Sequence, residues 1–262
     1  MSDITVINDS EQSSLVTNGL AKNGELYLKA AGSTDAGAIV VYDSGSWRTF
    51  ANEASAGFAN TYSLDFDGTN DYADLDSTIS STGAGSISMW INYDHDPSHT
   101  FFYLFSASQP LIYIDSSKER IYYGGNVSAI GSLPKEQWNH LVWTRDSSNG
   151  YKIYVNGGSN IIRTGTDTNA MSLGHLFRHT NGSLGYNGKI DEIGVWTSTE
   201  LSAGQVTAIY NSGIPDDLTS FSPTHWWRGG DSNGGSGSDI TDVIAGNDMT
   251  LSNASIVPSV PS

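Results

Sequence analysis

The chain has 262 residues, 12 Lys and Arg against 28 Asp and Glu, a net charge of −16 and no cysteine. The acidity argues against nucleic acid, whose phosphates need clustered Lys and Arg, and against anionic membranes. The missing cysteines exclude disulfides and thiolate metal sites.

With only 15 % charged residues and 29 glycines, alongside abundant Ser, Thr, Asn and Tyr, the chain reads as a turn-rich β protein rather than a helical one. Its hydroxyl and amide surfaces are compatible with calcium and with neutral polymers such as glycans. The first residues, MSDITVINDSEQ, lack the basic start and apolar core of a secretory signal, and no stretch approaches the ~20 apolar residues of a membrane span.

Residues 1–55 read as a separate small meander with runs at 25–30, 38–42 and 47–50 around glycine-rich breaks. Three short strands bury too little to stand alone, so an attachment or oligomerisation module is expected. EASAGFAN (53–60) is a small-residue connector. From 62 onward, YSLDFDGTNDYADLDS opens a series of short strand candidates at 86–93, 101–106, 111–115, 120–123, 140–145, 152–156, 184–186 and 190–196, separated by Gly, Ser or Asn turns. That spacing is the pattern of an antiparallel sandwich.

In WNHLVWTRDSSNGYKIYVNG (138–157) both strands of a hairpin carry large apolar groups on both faces, where one wet face should be polar. One helix is expected in LSAGQVTAIYNSG (201–213). Ser202 and Gln205 form a capping box, Leu201 and Val206 a hydrophobic staple, and Gly213 the left-handed stop. Residues 216–262 form a third part, with aromatic HWWR at 225–228 and a flexible GDSNGGSGSD at 230–239, packing on the sandwich or on a neighbouring subunit.

FDGTNDY (66–72), WNH (138–140) with YVNG (154–157), and GKIDEIGVW (188–196) followed by Leu201, Ser202 and a short helix occur in the order of a laminin-G-like domain. The chain resembles that branch of the concanavalin A-like lectin/glucanase superfamily. The resemblance implies an all-β, two-sheet antiparallel jelly roll over 56–215, with a curved front sheet. It would place the second face of the hairpin on that concave surface.

GELYLK and VVYDSGSWRTF (24–50) are similar to N-terminal modules of bacteriophage virion and fibre proteins. Residues 225–253 are similar to segments following laminin-G-like domains in phage structural proteins. The resemblance therefore implies a virion-surface protein attached to other virion proteins through 1–55, touching host surface glycan, and oligomeric, most simply a trimer.

The run 65–76 supplies Asp65, Asp67, Asn70, Asp71, Asp74 and Asp76, oxygen donors of the kind calcium takes. It lacks the glycine position of the helix–loop–helix calcium pattern. Carried over by motif, a structural calcium would use Asp67, Asp71 and Asp191, with Asn70. Against this stands plain turn capping by the same carboxylates. His95 with His99, and His175 with His179, share a four-residue spacing but read as exposed loop histidines.

Retaining glycosidases need two carboxyl groups ~5 Å apart. The glutamates (Glu11, Glu25, Glu53, Glu119, Glu136, Glu192 and Glu200) are not paired, and adjacent Asp191 and Glu192 would face opposite ways on a strand. No enzyme is expected. Sugar stacking on Trp143, Tyr154, Tyr113, Tyr123 and His140 is the binding hypothesis, against the alternative that these aromatics fill the core. A recessed aromatic groove would favour glycan binding, and a flat Ser- and Thr-rich face a capsid decoration.

Overall fold

The structure is a computed structural model that describes residues 5–7, 10, 26–29, 39–43, 46–51, 58–94, 101–109, 112–115, 120–123, 131–177 and 185–261. The chain divides into two units, 1–59 and 60–262. In the first, β1 (Thr5–Ile7) runs parallel to β2 (Leu26–Lys29), and β3 (Ile39–Asp43) and β4 (Ser46–Ala51) continue antiparallel. The meander expected from the sequence thus gains one strand, β1, whose three residues are too short to carry an alternation signal.

The second unit follows with β5 (Ser63–Asp67), β6 (Tyr72–Ser81), β7 (Gly85–Tyr93), β8 (Phe101–Tyr103), β9 (Phe105–Gln109), β10 (Ile112–Asp115), β11 (Arg120–Tyr123) and β12 (Gly131–Ser132). Then come β13 (Asn139–Arg145), β14 (Gly150–Val155), β15 (Ile161–Thr166), β16 (Met171–Leu176) and β17 (Asn187–Trp196). After helix α1 (Ala203–Tyr210) the chain adds β18 (His225–Trp227), β19 (Asp239–Ile240), β20 (Met249–Ser252) and β21 (Ser255–Val257).

An eight-stranded sheet has the order β15-β14-β13-β7-β17-β5-β21, with β18 also on β17. A five-stranded sheet has the order β19-β20-β6-β16-β9, and a small sheet the order β12-β11-β10-β8. Residues 216–262 are therefore no appendage, because they supply strands to both large sheets and put Trp227, Ile240, Met249 and Leu251 into the core.

The core follows the period-2 alternation of the strands. Ile87, Met89 and Ile91 of β7, Leu141 and Trp143 of β13, and Ile153 and Val155 of β14 meet Ala73 and Leu75 of β6, Met171 and Leu173 of β16, and Met249 and Leu251 of β20.

The opposite face of the eight-stranded sheet carries Trp90, His140, Val142, Tyr154 and Trp196, all buried. They are covered by the chain's own 197–221 segment. Tyr210 of α1 stacks on Trp90 and His140, Leu201 N donates to Ser86 Oγ, and Trp196 Nε1 donates to Phe221 O. The hairpin's two apolar faces thus have two covers, the second sheet and the helix, and the expected concave aromatic surface is replaced by an interior.

The Ser202–Gln205 capping box forms as expected, with the Ser202 side chain accepting from Gln205 N and the Gln205 side chain accepting from Ser202 N. The left-handed stop is Asn211 (φ 43°) rather than Gly213, because a single 3-10 turn (Asn211–Gly213) follows.

Strands β15 and β16 lack a sequence signal. IIRTGT is an exposed edge, and MSLGHL is broken by a bulge between Leu173 and His175 that upsets its alternation. No helix among the described residues is long and apolar enough to cross a membrane.

Candidate functional site

On the outer face of the five-stranded sheet, by contrast, none of the described residues forms such a cover, and side chains remain open to solvent. Along β6 the residues alternating with core Ala73, Leu75 and Ile79 are Tyr72, Asp74, Asp76, Thr78 and Ser80. Asp76, Thr78 and Ser80 are exposed, and Tyr72 and Asp74 half-buried.

Asp74 sits opposite His175 of β16 on one side and Thr250 of β20 on the other. His175 Nδ1 lies 2.6 Å from Asp74 Oδ1, and both side chains remain open to solvent. Thr250 Oγ1 donates to Asp239 Oδ1 at 3.3 Å. The result is a row of carboxylate, imidazole and hydroxyl groups across four strands, fixed by sheet register. Such a row hydrogen-bonds to hydroxyl-rich ligands by donors and acceptors at strand spacing. His175 read as a loop residue from sequence because the bulge beside it hides the strand. His95, His99 and His179 lie outside the described residues.

The residues expected to hold calcium do not converge. Asp67 pairs with Asn187 at one end of β17, whereas Asp191 is four residues further along that strand, about 13 Å away at ~3.3 Å per residue. One calcium ion, with ligands at ~2.4 Å, cannot bridge that span.

The carboxylates of the turn cap backbone instead: Asp67 N donates to Asp71 Oδ2 at 2.7 Å and Thr69 N to Asp67 Oδ1 at 2.8 Å. Asn70 and Asp67 are exposed, and the Asn70 carbonyl accepts from Asn253 Nδ2. Burial raises the Asp71 carboxyl pKa, partly offset by the Asp67 N–H.

The expected sugar-stacking aromatics also fall elsewhere. Trp143, Tyr154 and His140 are 1 %, 2 % and 0 % exposed, too buried to offer a ring face to a ligand. Trp143 belongs to the inter-sheet core, and His140 Nε2 is 2.8 Å from Ser88 Oγ beneath Tyr210. Removal from water pulls the His140 pKa down to about 3, so its ring is neutral. Tyr113 is half-buried on β10, and the Tyr123 side chain lies outside the described residues.

Asp191 and Glu192 do not point to opposite faces. A bulge places two residues of β17, Glu192 and Ile193, against Met89 of β7, and Glu192 adopts a left-handed φ of 48°. Both carboxyls are buried and share Arg228 and Asp231 as charged neighbours. Nothing in the strand alternation signals this turn.

A laminin-G profile described as the concanavalin A-like lectin/glucanases superfamily matches residues 67–207, more than half of the chain. The chain belongs to that superfamily. No curated protein sequence matches it.

Among solved structures, this lectin/glucanase-type chain resembles a candidate carbohydrate binding protein from Bacteroides ovatus at 16 % identity and a TM-score of 0.58, covering 92 % of this chain and 71 % of that one. At that identity the likeness shows the fold. The heptameric SAP-like pentraxin of Limulus polyphemus (13 % identity, 58 % of this chain, 82 % of that one, TM-score 0.39) superposes too loosely to carry an argument. The same holds for the botulinum neurotoxin type G receptor binding domain (14 %, 66 % and 50 %, TM-score 0.35).

Proposed function

We propose that the sandwich is a non-catalytic, lectin-like domain that takes glycan on the outer face of the five-stranded sheet, around Asp74 and His175. The observation that carries this is the asymmetry of the two outer faces. The eight-stranded sheet is sealed by α1 and the segment after it, while β6, β16 and β20 leave Asp74, Asp76, Thr78, Ser80, His175 and Thr250 half-buried or exposed. The superfamily fold and the B. ovatus likeness support carbohydrate as the ligand class. The carboxyl pair that the structure does bring together, Asp191 and Glu192, is buried, which supports a non-catalytic role.

The setting we propose is a bacteriophage virion surface, on the resemblance of 24–50 and 225–253 to phage modules. The 1–59 unit would provide attachment to other virion proteins, and a homotrimer the avidity that weak single sites require.

A glycan array extended with host surface polysaccharides, probed with the full chain, tests the reading. Binding that is lost on Asp74→Ala is expected, and silence across the whole panel would overturn it. A second reading, a capsid decoration without ligand, is favoured by one observation. Among the described residues of that face Tyr72 is the one phenol or indole, the rest being hydroxyls, carboxylates and His175.

A further inference from the structure

Strand β15 is an edge of the eight-stranded sheet, paired with β14 alone among the described residues. At the opposite edge β21 runs straight into Pro258, which has no N–H to offer a further strand. The β15 edge carries no such block. Residues 156–166 contain no proline and no Asp or Glu, in a chain with 28 acids. Their one charged side chain, Arg163, turns back on its own sheet, its Nε donating to Tyr151 Oη at 3.3 Å. An edge left open in this way presents backbone donors and acceptors to another strand.

The ladder identifies those groups. Asp167 N donates to Asn149 O at 2.9 Å, so Asp167 faces β14. Asp146 N donates to Gly150 O at 2.8 Å, so Gly150 faces β13 and Tyr151 faces β15. Pairing is regular from Arg163 to Thr166, with Gly165 opposite Tyr151. By the alternation of an antiparallel pair, Thr164 and Thr166 point their N–H and C=O away from β14. Both threonines are exposed, as is Gly165 between them.

Residues 163–167 read Arg-Thr-Gly-Thr-Asp, and this segment complements itself. A two-fold axis at Gly165 lays it antiparallel to a copy. Thr164 then falls opposite Thr166 of the copy, so the residues that meet are those whose backbone groups point outward. Gly165 meets Gly165 at the non-hydrogen-bonded position, where Cα atoms come within about 4.5 Å. Arg163 falls opposite Asp167 at both ends, and unlike charges directly opposed stabilise a strand pair. The Asp167 carboxylate is fixed in place by Asn169, whose N and Nδ2 donate to Oδ1 at 2.9 and 2.8 Å.

We propose that β15 pairs antiparallel with β15 of a second copy about Gly165, joining the two eight-stranded sheets edge to edge. The contact is isologous and closes on itself. Main-chain hydrogen bonds of Thr164 and Thr166 hold it, and the reversed charges of Arg163 and Asp167 set its register. It also lies where two chains of net charge −16 can approach, because the edge itself is free of acids up to Asp167.

The test is the mass of the full-length protein by sedimentation equilibrium, wild type against two variants. Thr164→Pro removes an outward N–H that the chain's own ladder does not use. Arg163→Asp keeps every backbone donor and places two acids opposite each other. Each should have half the mass of the wild type at the same concentration. The factor of two holds for a monomer pairing to a dimer and for a trimer pairing to a hexamer. Circular dichroism checks that each variant folds. A folded Thr164→Pro with the wild-type mass would overturn the second copy as the occupant of this edge, whatever other strand it takes. Should the proline variant not fold, a folded Arg163→Asp with the wild-type mass would overturn it equally.

Discussion

The phenol of Tyr210 lies over the imidazole of His140, with 20° between the ring planes and 5.9 Å between centroids, and over Trp90 at 5.8 Å. This stack closes the second face of the 138–157 hairpin. Two rings that could have faced a sugar become interior because one short capped helix ends above them. Tyr210→Ala should lower stability by about 1–3 kcal/mol through lost packing of a half-buried ring, read as a lower urea midpoint. An unchanged midpoint would mean that α1 is dispensable as a cover.

His140 provides a pH signature for the same interior. Folded, its ring is neutral down to about pH 3; unfolded, it protonates near 6.5. Protonation therefore favours the unfolded chain, and the penalty grows as pH falls below 6.5. His140→Gln removes it. Relative to that variant, the wild type should lose up to ~1.4 kcal/mol for each unit that pH drops from 6.5 towards 4. The comparison is made as a difference so that the other titrating groups cancel. Equal pH profiles would place an ionisable, wet His140.

Arg145 is a buried guanidinium satisfied by carbonyls alone. Its Nε donates to Gly83 O and one terminal nitrogen to Ser81 O, each at 2.8 Å, and the other donates to Asn169 O. It ties the β6–β7 turn to the loop before β16 from the end of β13. Arg145→Met strands those acceptors and should cost about 3 kcal/mol, read by chemical denaturation. A loss below ~1 kcal/mol would show that water replaces the donors.

In the acidic turn, Asp67 and Asp71 accept from the turn's own backbone, while Asp65 faces Lys189 and Asp74 faces His175, so chelator should leave the melting temperature unmoved and added calcium should not raise it. A ligand bound only to the folded chain must stabilise it. A rise with calcium would restore the expected ion, on a ligand set without Asp191.

How much of this was legible in the residues depends on how local the signal is. FDGTNDY, YVNG and GKIDEIGVW gave the sandwich, and Ser202 with Gln205 gave the helix start, because capping and alternation are written within a few positions. The burial of His140 and Tyr154 was not legible, because their face is covered by a segment some 50–70 residues further along the chain, and that of Trp143 because alternation does not say which face of the hairpin meets the second sheet. The joining of Asp191 and Glu192 needed a bulge and a left-handed glutamate that strand periodicity does not encode. His175 escaped for the same reason, its strand broken by a second bulge.

At the open face, Asp74→Ala and His175→Ala should leave stability within about 0.5 kcal/mol, since an exposed side-chain contact contributes little. Both should weaken glycan binding. Loss of folding would assign the pair to structure.

The most direct measurement maps a bound saccharide onto the chain by backbone amide shifts in the full-length protein. The account predicts shifts at Asp74, Asp76, Thr78, His175 and Thr250, and none around Tyr210 and His140. Shifts centred on α1, or no shift with any glycan of the panel, would contradict it.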